Sequence, residues 1–183
     1  MKEIGTQWVL GIVAATMVTA SVGAATPQSA EQPMHDHESS ATLVQLVREA
    51  TAPFIDVNAA LAAGYGPFLG CVSGPDEGAM GRHYVNPTLY ADGELDAAHP
   101  EALMYESVNG GLHLVGAEFI VDAATWLARH DSPPVLQDQS FQFVASPNRY
   151  GLPAFFELHV WAWRHNPQGA FVDWNARVAC EGR

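Results

Sequence analysis

The residues best equipped for chemistry are concentrated in one run, Phe155-Phe156-Glu157-Leu158-His159-Val160-Trp161-Ala162-Trp163-Arg164-His165. Read as a β-strand, its side chains alternate between two faces. Phe156, Leu158, Val160 and Ala162 then form an apolar face that ends at Arg164. Glu157, His159, Trp161, Trp163 and His165 share the other, which is too polar for an ordinary core and too aromatic for an ordinary wet surface. Glu157 and His159 stand roughly 7 Å apart between α-carbons by strand rise, so both can reach one ion. A transition-metal site uses three or four such ligands, imidazole nitrogens and carboxylate oxygens. His113, in Gly111-Leu112-His113-Leu114-Val115-Gly116, and His83, in Gly81-Arg82-His83-Tyr84-Val85-Asn86-Pro87, are the candidates to complete it. The expected ligand set is therefore His159, His113, His83 and Glu157, holding copper or zinc before iron. Open coordination positions would make the protein a metalloenzyme of oxidative or hydrolytic type.

The same residues admit plainer readings. A histidine on a strand can be a hydrogen-bonded structural residue, and three of them on separate strands lack the H-x-H or H-E-x-x-H spacing of a dedicated site. His165 precedes Asn166-Pro167 and reads equally as a turn residue. Trp161 and Trp163 are either core side chains or the walls of a small-molecule pocket, with Tyr84, Tyr150, Asp173 and Trp174 as supporting donors and acceptors and His165 at its mouth. Unbroken alternation from His113 through Val115, Ala117 and Phe119 puts Glu118 on the opposite face, so Glu118 counts as a ligand only if a bulge intervenes. A buried carboxylate there would need a partner such as Arg82, Arg149 or Arg164. Two rival functions follow, a non-catalytic pocket for a small molecule and a disulfide-stapled interaction module. No G-x-S-x-G elbow or glycine-rich phosphate loop occurs, which removes serine hydrolases and nucleotide binding.

The elements that must position these groups can be read from the rest of the chain. The 183 residues suffice for one domain with a real core, and twenty acidic against eight basic residues give a formal charge of −12 that repels phosphate backbones. Nucleic acid is thus excluded as a partner. Lys2, an apolar stretch from Trp8 to Val22 and small residues at Gly23-Ala24-Ala25 read as an export signal over residues 1–25. After its removal no stable membrane insertion is expected, and the location is periplasmic or secreted. The only cysteines, Cys71 and Cys180, should pair in that oxidising setting. Residues 26–40 read as a flexible leader carrying Met34-His35-Asp36-His37-Glu38, a run that could capture copper or zinc or serve as a soluble linker.

Residues 41–183 form the domain proper. Leu43, Val47, Ala50, Phe54, Val57 and Leu61 recur at helical spacing, and Pro53 predicts a kink with Thr51 or Ala52 capping the second piece before Gly64 ends it. Beyond Gly64, short β-like runs alternate with Gly, Pro and Asn clusters. Strands are expected near 67–72, 80–85, 102–106, 112–121, 140–144, 154–164 and 177–180, with Asn109-Gly110-Gly111 as a hairpin turn and Asp122 capping a helix through His130. The fold class is α+β, an antiparallel, curled or barrel-like sheet with a kinked N-terminal helix.

The runs His83-Tyr84-Val85-Asn86-Pro87 and Glu157-Leu158-His159-Val160-Trp161-Ala162-Trp163-Arg164-His165-Asn166-Pro167 resemble a family of small, exported, uncharacterised bacterial proteins. The likeness extends from the helix to Cys180. It implies export and attaches no activity, ligand or fold.

Overall fold

A computed structural model describes residues 35–180, with side chains from Thr42 onward. The expected export signal, the leader up to Met34 and the side chains of the His35–Glu38 run lie outside the described residues. Among the described residues no helix is long and apolar enough to cross a membrane.

Helix α1 (His35–Thr51) opens the fold, so its first turns occupy ground that composition assigned to the leader. Pro53 then does what its missing N–H and ring dictate. The α-helix gives way to a 3-10 turn (Ala52–Ile55), and α2 (Val57–Ala62) restarts after the extended residue Asp56. The cap of α2 is Asp56, whose carboxylate accepts from Asn58 N at 2.9 Å. Thr51, expected in that role, instead donates its hydroxyl back to Val47 O at 2.6 Å. Gly64, at φ +95°, ends the segment.

Strands β1 (Gly66–Gly74), β2 (Gly78–Val85), β3 (Ala102–Val108), β4 (Gly111–Asp122), β7 (Gln142–Val144) and β8 (Phe155–Val160) form one antiparallel sheet in the order β1-β2-β3-β4-β8-β7, curled into a half-barrel. Strands β5 (Val135–Leu136) and β6 (Gln139–Ser140) make a separate pair. Two short helices punctuate the chain. α3 (Pro87–Asp92) is capped by Asn86, and α4 (Ala123–Leu127) by Asp122, which accepts from Thr125 N at 2.7 Å. The β3–β4 hairpin turns through Asn109 (φ 51°) and Gly110 (φ 80°), the left-handed pair that a tight hairpin demands.

The two faces of the sheet have different fates. One carries Leu103, Tyr105, Leu114, Ala117, Phe119, Phe156, Leu158 and Val160, all buried, beneath Leu43 and Val47 of α1. This is the core face. The other carries His83, Val85, Ala102, Met104, Glu118, Glu157 and His159, and loops and the C-terminal segment cover it. We call it the site face.

Two departures from regular alternation decide what reaches the site face. The first is a bulge in β4. Met104 of β3 pairs with Gly116 but Tyr105 pairs with Leu114, leaving Val115 without a partner. Parity therefore flips, so that Leu112 and Leu114 before it, and Ala117, Phe119 and Val121 after it, all serve the core. Gly116 is required here, because a Cβ would lie 2.5 Å from Val160 O and 2.7 Å from Met104 Cε.

The second is the end of β8 at Val160, four residues short of the run to Arg164 that alternation predicts. Ala162 N donates to Val160 O at 2.9 Å, a tight reversal, and Trp163 N and Arg164 N then reach the bulged Val115 O at 3.1 and 3.0 Å. The expected strand at 177–180 is likewise absent. That segment is pinned by the Cys71–Cys180 disulfide, by Glu106 Oε1 accepting from Ala179 N at 3.1 Å, and by the bridge between Ala79 and Asn175.

Candidate metal centre

The site grows out of cross-strand register. Val85, Ala102, Glu118 and His159 lie in one row across β2, β3, β4 and β8, and paired residues share a face. His83 sits two residues before Val85, on the same face and one step along the strand. Small Ala102 between β2 and β4 leaves His83 and Glu118 free to reach across β3. They meet with His83 Nε2 3.2 Å from Glu118 Oε2. His159 comes from the far side, with Nε2 3.8 Å from Glu118 Oε1. The two imidazoles stand edge to face with centroids 6.0 Å apart.

Two further carboxylates close around His159. Its Nδ1 lies 3.5 Å from Asp173 Oδ1, and Gln142 Nε2 donates to that same oxygen at 2.6 Å. Glu157, one strand period before His159, lies close enough to Glu118 for the two carboxyl groups to act on each other's charge. Both ring nitrogens of His159 are buried, and neither makes a hydrogen bond. Two groups of donors converge within 4.8 Å, His83 with Glu118 and His159, and Glu157 with His159 and Asp173.

Charge in this interior follows from burial and neighbours. Burial, reinforced by His159, pushes His83 down to about 3, so it is a neutral imidazole with a free lone pair. Burial also opposes charge on His159, but Glu118, Asp173 and Glu157 outweigh it and hold His159 up at about 9. Glu118 is raised well above the usual carboxylate range, by burial first and then by Glu157 and Asp173, with His159 opposing. Glu157 is raised for the same leading reason. Burial works against Asp173 too, yet His159 and Gln142 prevail and keep it below its ordinary value. None of the expected guanidinium partners is present at Glu118. Arg82 donates to Ser107, Arg149 to Ser73 O, and Arg164 pairs with Glu106.

A small chamber of about 20 Å³ opens beside His83, Glu118 and Glu157. That is room for roughly one water-sized body. Tyr150 and Leu152 wall it off, on a loop that Asn148 braces by accepting from Tyr150 N and Leu152 N, both at 3.2 Å.

Of the residues expected to ligate, His159, His83 and Glu157 come together and His113 does not. His113 is exposed near the hairpin end of β4, against a separate cavity shared with Glu106, Trp163 and Arg164. The bulge explains the exchange. It brings Glu118 onto the site face several residues beyond His113, so Glu118 takes the place assigned to that histidine.

The paired indole walls are also corrected. Trp161 packs against Met104 and Val115 with Nε1 donating to Val172 O at 2.6 Å. Trp163 lies on the core side, its Nε1 2.9 Å from Thr51 Oγ1 and Arg48 above its ring. The reversal at Ala162 sends the two rings apart, and neither lines the chamber. Tyr84, adjacent to His83 in β2, necessarily points to the core, where it meets Tyr105. His165 is exposed in the turn. Tyr150 alone of the pocket set lines the chamber, its hydroxyl 3.7 Å from Met80 Sδ. Burial, then Glu157 and Glu118, raise its pKa, so it stays a protonated donor.

Comparison with family models, characterised proteins and solved structures found no match.

Proposed function

We propose that the protein is an exported domain that binds one divalent transition metal through His83 Nε2, Glu118 and His159 Nε2. Asp173, 3.5 Å from the other nitrogen of His159, would orient that ring once an ion is bound, and Glu157 is the reserve carboxylate. The observation that carries this reading is the fully buried His159, with two carboxylates near its nitrogens and no hydrogen bond to either. A buried imidazole left unpaired is costly. An imidazolium serving only as a counter-ion would aim its N–H groups at oxygens about 2.7–3.2 Å away. Metal bonds of about 2.0–2.2 Å instead place neighbouring ligand atoms of a tetrahedral site roughly 3.3–3.6 Å apart. Glu118 Oε1 lies 3.8 Å from His159 Nε2, beyond hydrogen-bond range and near that spacing, while its other oxygen, Oε2, lies 3.2 Å from His83 Nε2.

The donor set narrows the ion. Both cysteines are committed to the disulfide, so the centre offers imidazole and carboxylate without thiolate. Zinc, copper(II) and iron(II) accept such ligands, whereas copper(I) prefers sulfur. Three protein ligands leave a position toward the chamber, the arrangement of a catalytic rather than a purely structural site. Asp173 then has the part commonly played by a carboxylate behind a metal-bound histidine, setting its tautomer and orientation. The disulfide supports an oxidising compartment, periplasmic or extracellular.

Elemental analysis of protein exported natively and never exposed to nickel resin tests the reading. Near-stoichiometric metal is expected, with loss in His159→Ala and retention in His113→Ala. Folded wild-type protein that is metal-free and gains no ion on dialysis against zinc, copper(II) or iron(II) would overturn it.

A further inference from the structure

A second, larger space adjoins the chamber. It is a cleft of about 420 Å³ between the start of β1, the start of α3 and the 148–152 loop. Phe68, Val85, Ile120 and Leu152 line both spaces, so the cleft and the chamber adjoin along a shared wall. The remaining surface of the cleft comes from glycines, prolines and Tyr90. Its volume falls in the range of small-molecule sites, which are apolar with a few polar groups at one end. Here those polar groups are His83, Glu118 and Glu157 of the chamber.

We propose that this cleft binds a small uncharged apolar molecule, aromatic or branched aliphatic, with a single hydroxyl head directed at the His83–Glu118 end. The identity of the head group follows from charge. Among the described residues no Lys or Arg lines either space, and two carboxylates face the chamber. A carboxylate or phosphate head would meet those acids with only His159, which lines neither space, behind Glu118 to offset them, and a bound divalent ion would at most neutralise the pair. A hydroxyl can both donate to a carboxylate and present a lone pair to an ion. The apolar remainder removes its surface from water against Phe68, Ile120 and Leu152. This inference rests on the metal reading for what the head group meets, and on the cleft alone for the body of the ligand.

The chain supplies a clean way to block the cleft. Gly66 lines it and is the cross-strand partner of Val85, another lining residue, so side chains at the two positions share a face. A Cβ at Gly66 would meet nothing within 4 Å. Gly66→Leu therefore fills the cleft without displacing backbone.

The experiment is calorimetric titration of natively exported protein with 4-propylphenol and with 4-propylbenzoate, alongside metal content by elemental analysis. The phenol is expected to bind with a Kd below about 1 mM, the benzoate at least tenfold more weakly. Gly66→Leu should weaken the phenol at least tenfold and leave metal content and melting temperature unchanged. As a check that needs no variant, phenol-induced methyl NMR shifts should centre on Ile120 and Leu152 and spare Leu46. Metal-free protein that still binds the phenol in a Gly66-dependent way would uphold the cleft while the metal reading fails. Absence of phenol binding to metal-replete protein, equal affinity for the benzoate, or shifts away from Ile120 and Leu152 would overturn the inference.

Discussion

Replacing Glu118 with glutamine should remove most of the protein's stabilisation by metal while keeping its shape. Glu118 is the proposed oxygen ligand between the two imidazoles, with Oε2 3.2 Å from His83 and Oε1 3.8 Å from His159. Glutamine preserves its volume and one acceptor but removes the charge that an ion would neutralise. An ion that binds only the native state at one hundred times its Kd stabilises that state by about 2.7 kcal/mol. For a domain of this size, that corresponds to a rise in Tm of roughly 5–11 °C at 2–4 °C per kcal/mol. Losing an outer partner of a metal ligand already costs 10- to 100-fold in affinity, so losing a charged ligand should cost at least about 100-fold. At the same ion concentration the residual stabilisation is then about 0.4 kcal/mol, a shift of only ~1–2 °C. Differential scanning calorimetry of chelator-treated protein, with and without zinc, copper(II) or iron(II), reads both values. The exposed His113→Ala should keep the full shift. A full shift in Glu118→Gln, or an equal loss in His113→Ala, would refute the assignment.

Asp173→Asn should lower metal affinity 10- to 100-fold without emptying the site at saturating ion, since it removes the charge behind His159 Nδ1 and no direct ligand. A competition titration against a chromogenic chelator measures this, and an unchanged affinity would remove Asp173 from the centre. Glu101 supplies a pH dependence of folding. Burial raises it from 4.5 to about 8 even though it accepts from Ile120 N. Because the folded value exceeds the unfolded one, its stabilising protonated form is fully present below pH 4.5 and is lost as pH rises toward 8. Denaturant melts should show stability falling across that window by up to about 5 kcal/mol from this group, and Glu101→Gln should flatten the fall. Equal slopes in the two proteins would contradict the burial argument. Gly116→Ala should destabilise by about 1–3 kcal/mol or more by driving Val160 away from the bulge, whereas a neutral result in urea melts would mean β4 and β8 can separate at little cost. Cys71→Ser with Cys180→Ser should cost about 4–5 kcal/mol by the loop-entropy relation. A loss under ~1 kcal/mol would show that Glu106 and the Ala79–Asn175 bridge secure the C-terminal segment without the disulfide.

The sequence by itself determined whatever depends on neighbours along the chain. Pro53 broke the helix, Asn109-Gly110 turned the hairpin, Asp122 capped α4, and the alternation of Phe156, Leu158 and Val160 marked the core face of β8. With only two cysteines, the disulfide followed from oxidation alone. His159, His83 and Glu157 stood out because histidine and glutamate on apolar strands demand a partner. Tertiary structure decided which partners they received. A bulge cannot be seen in a single strand, because it exists only in the register between two, and the unpaired Val115 moved Glu118 in and left His113 at the rim. The reversal at Ala162 is held by Val115 O, a group 47 residues away, and it separated Trp161 from Trp163. Asp173 reached His159 from a loop with no periodicity to announce it. Local periodicity reports the geometry of one backbone segment, whereas a site is an agreement among several, and that agreement is fixed by packing at long range.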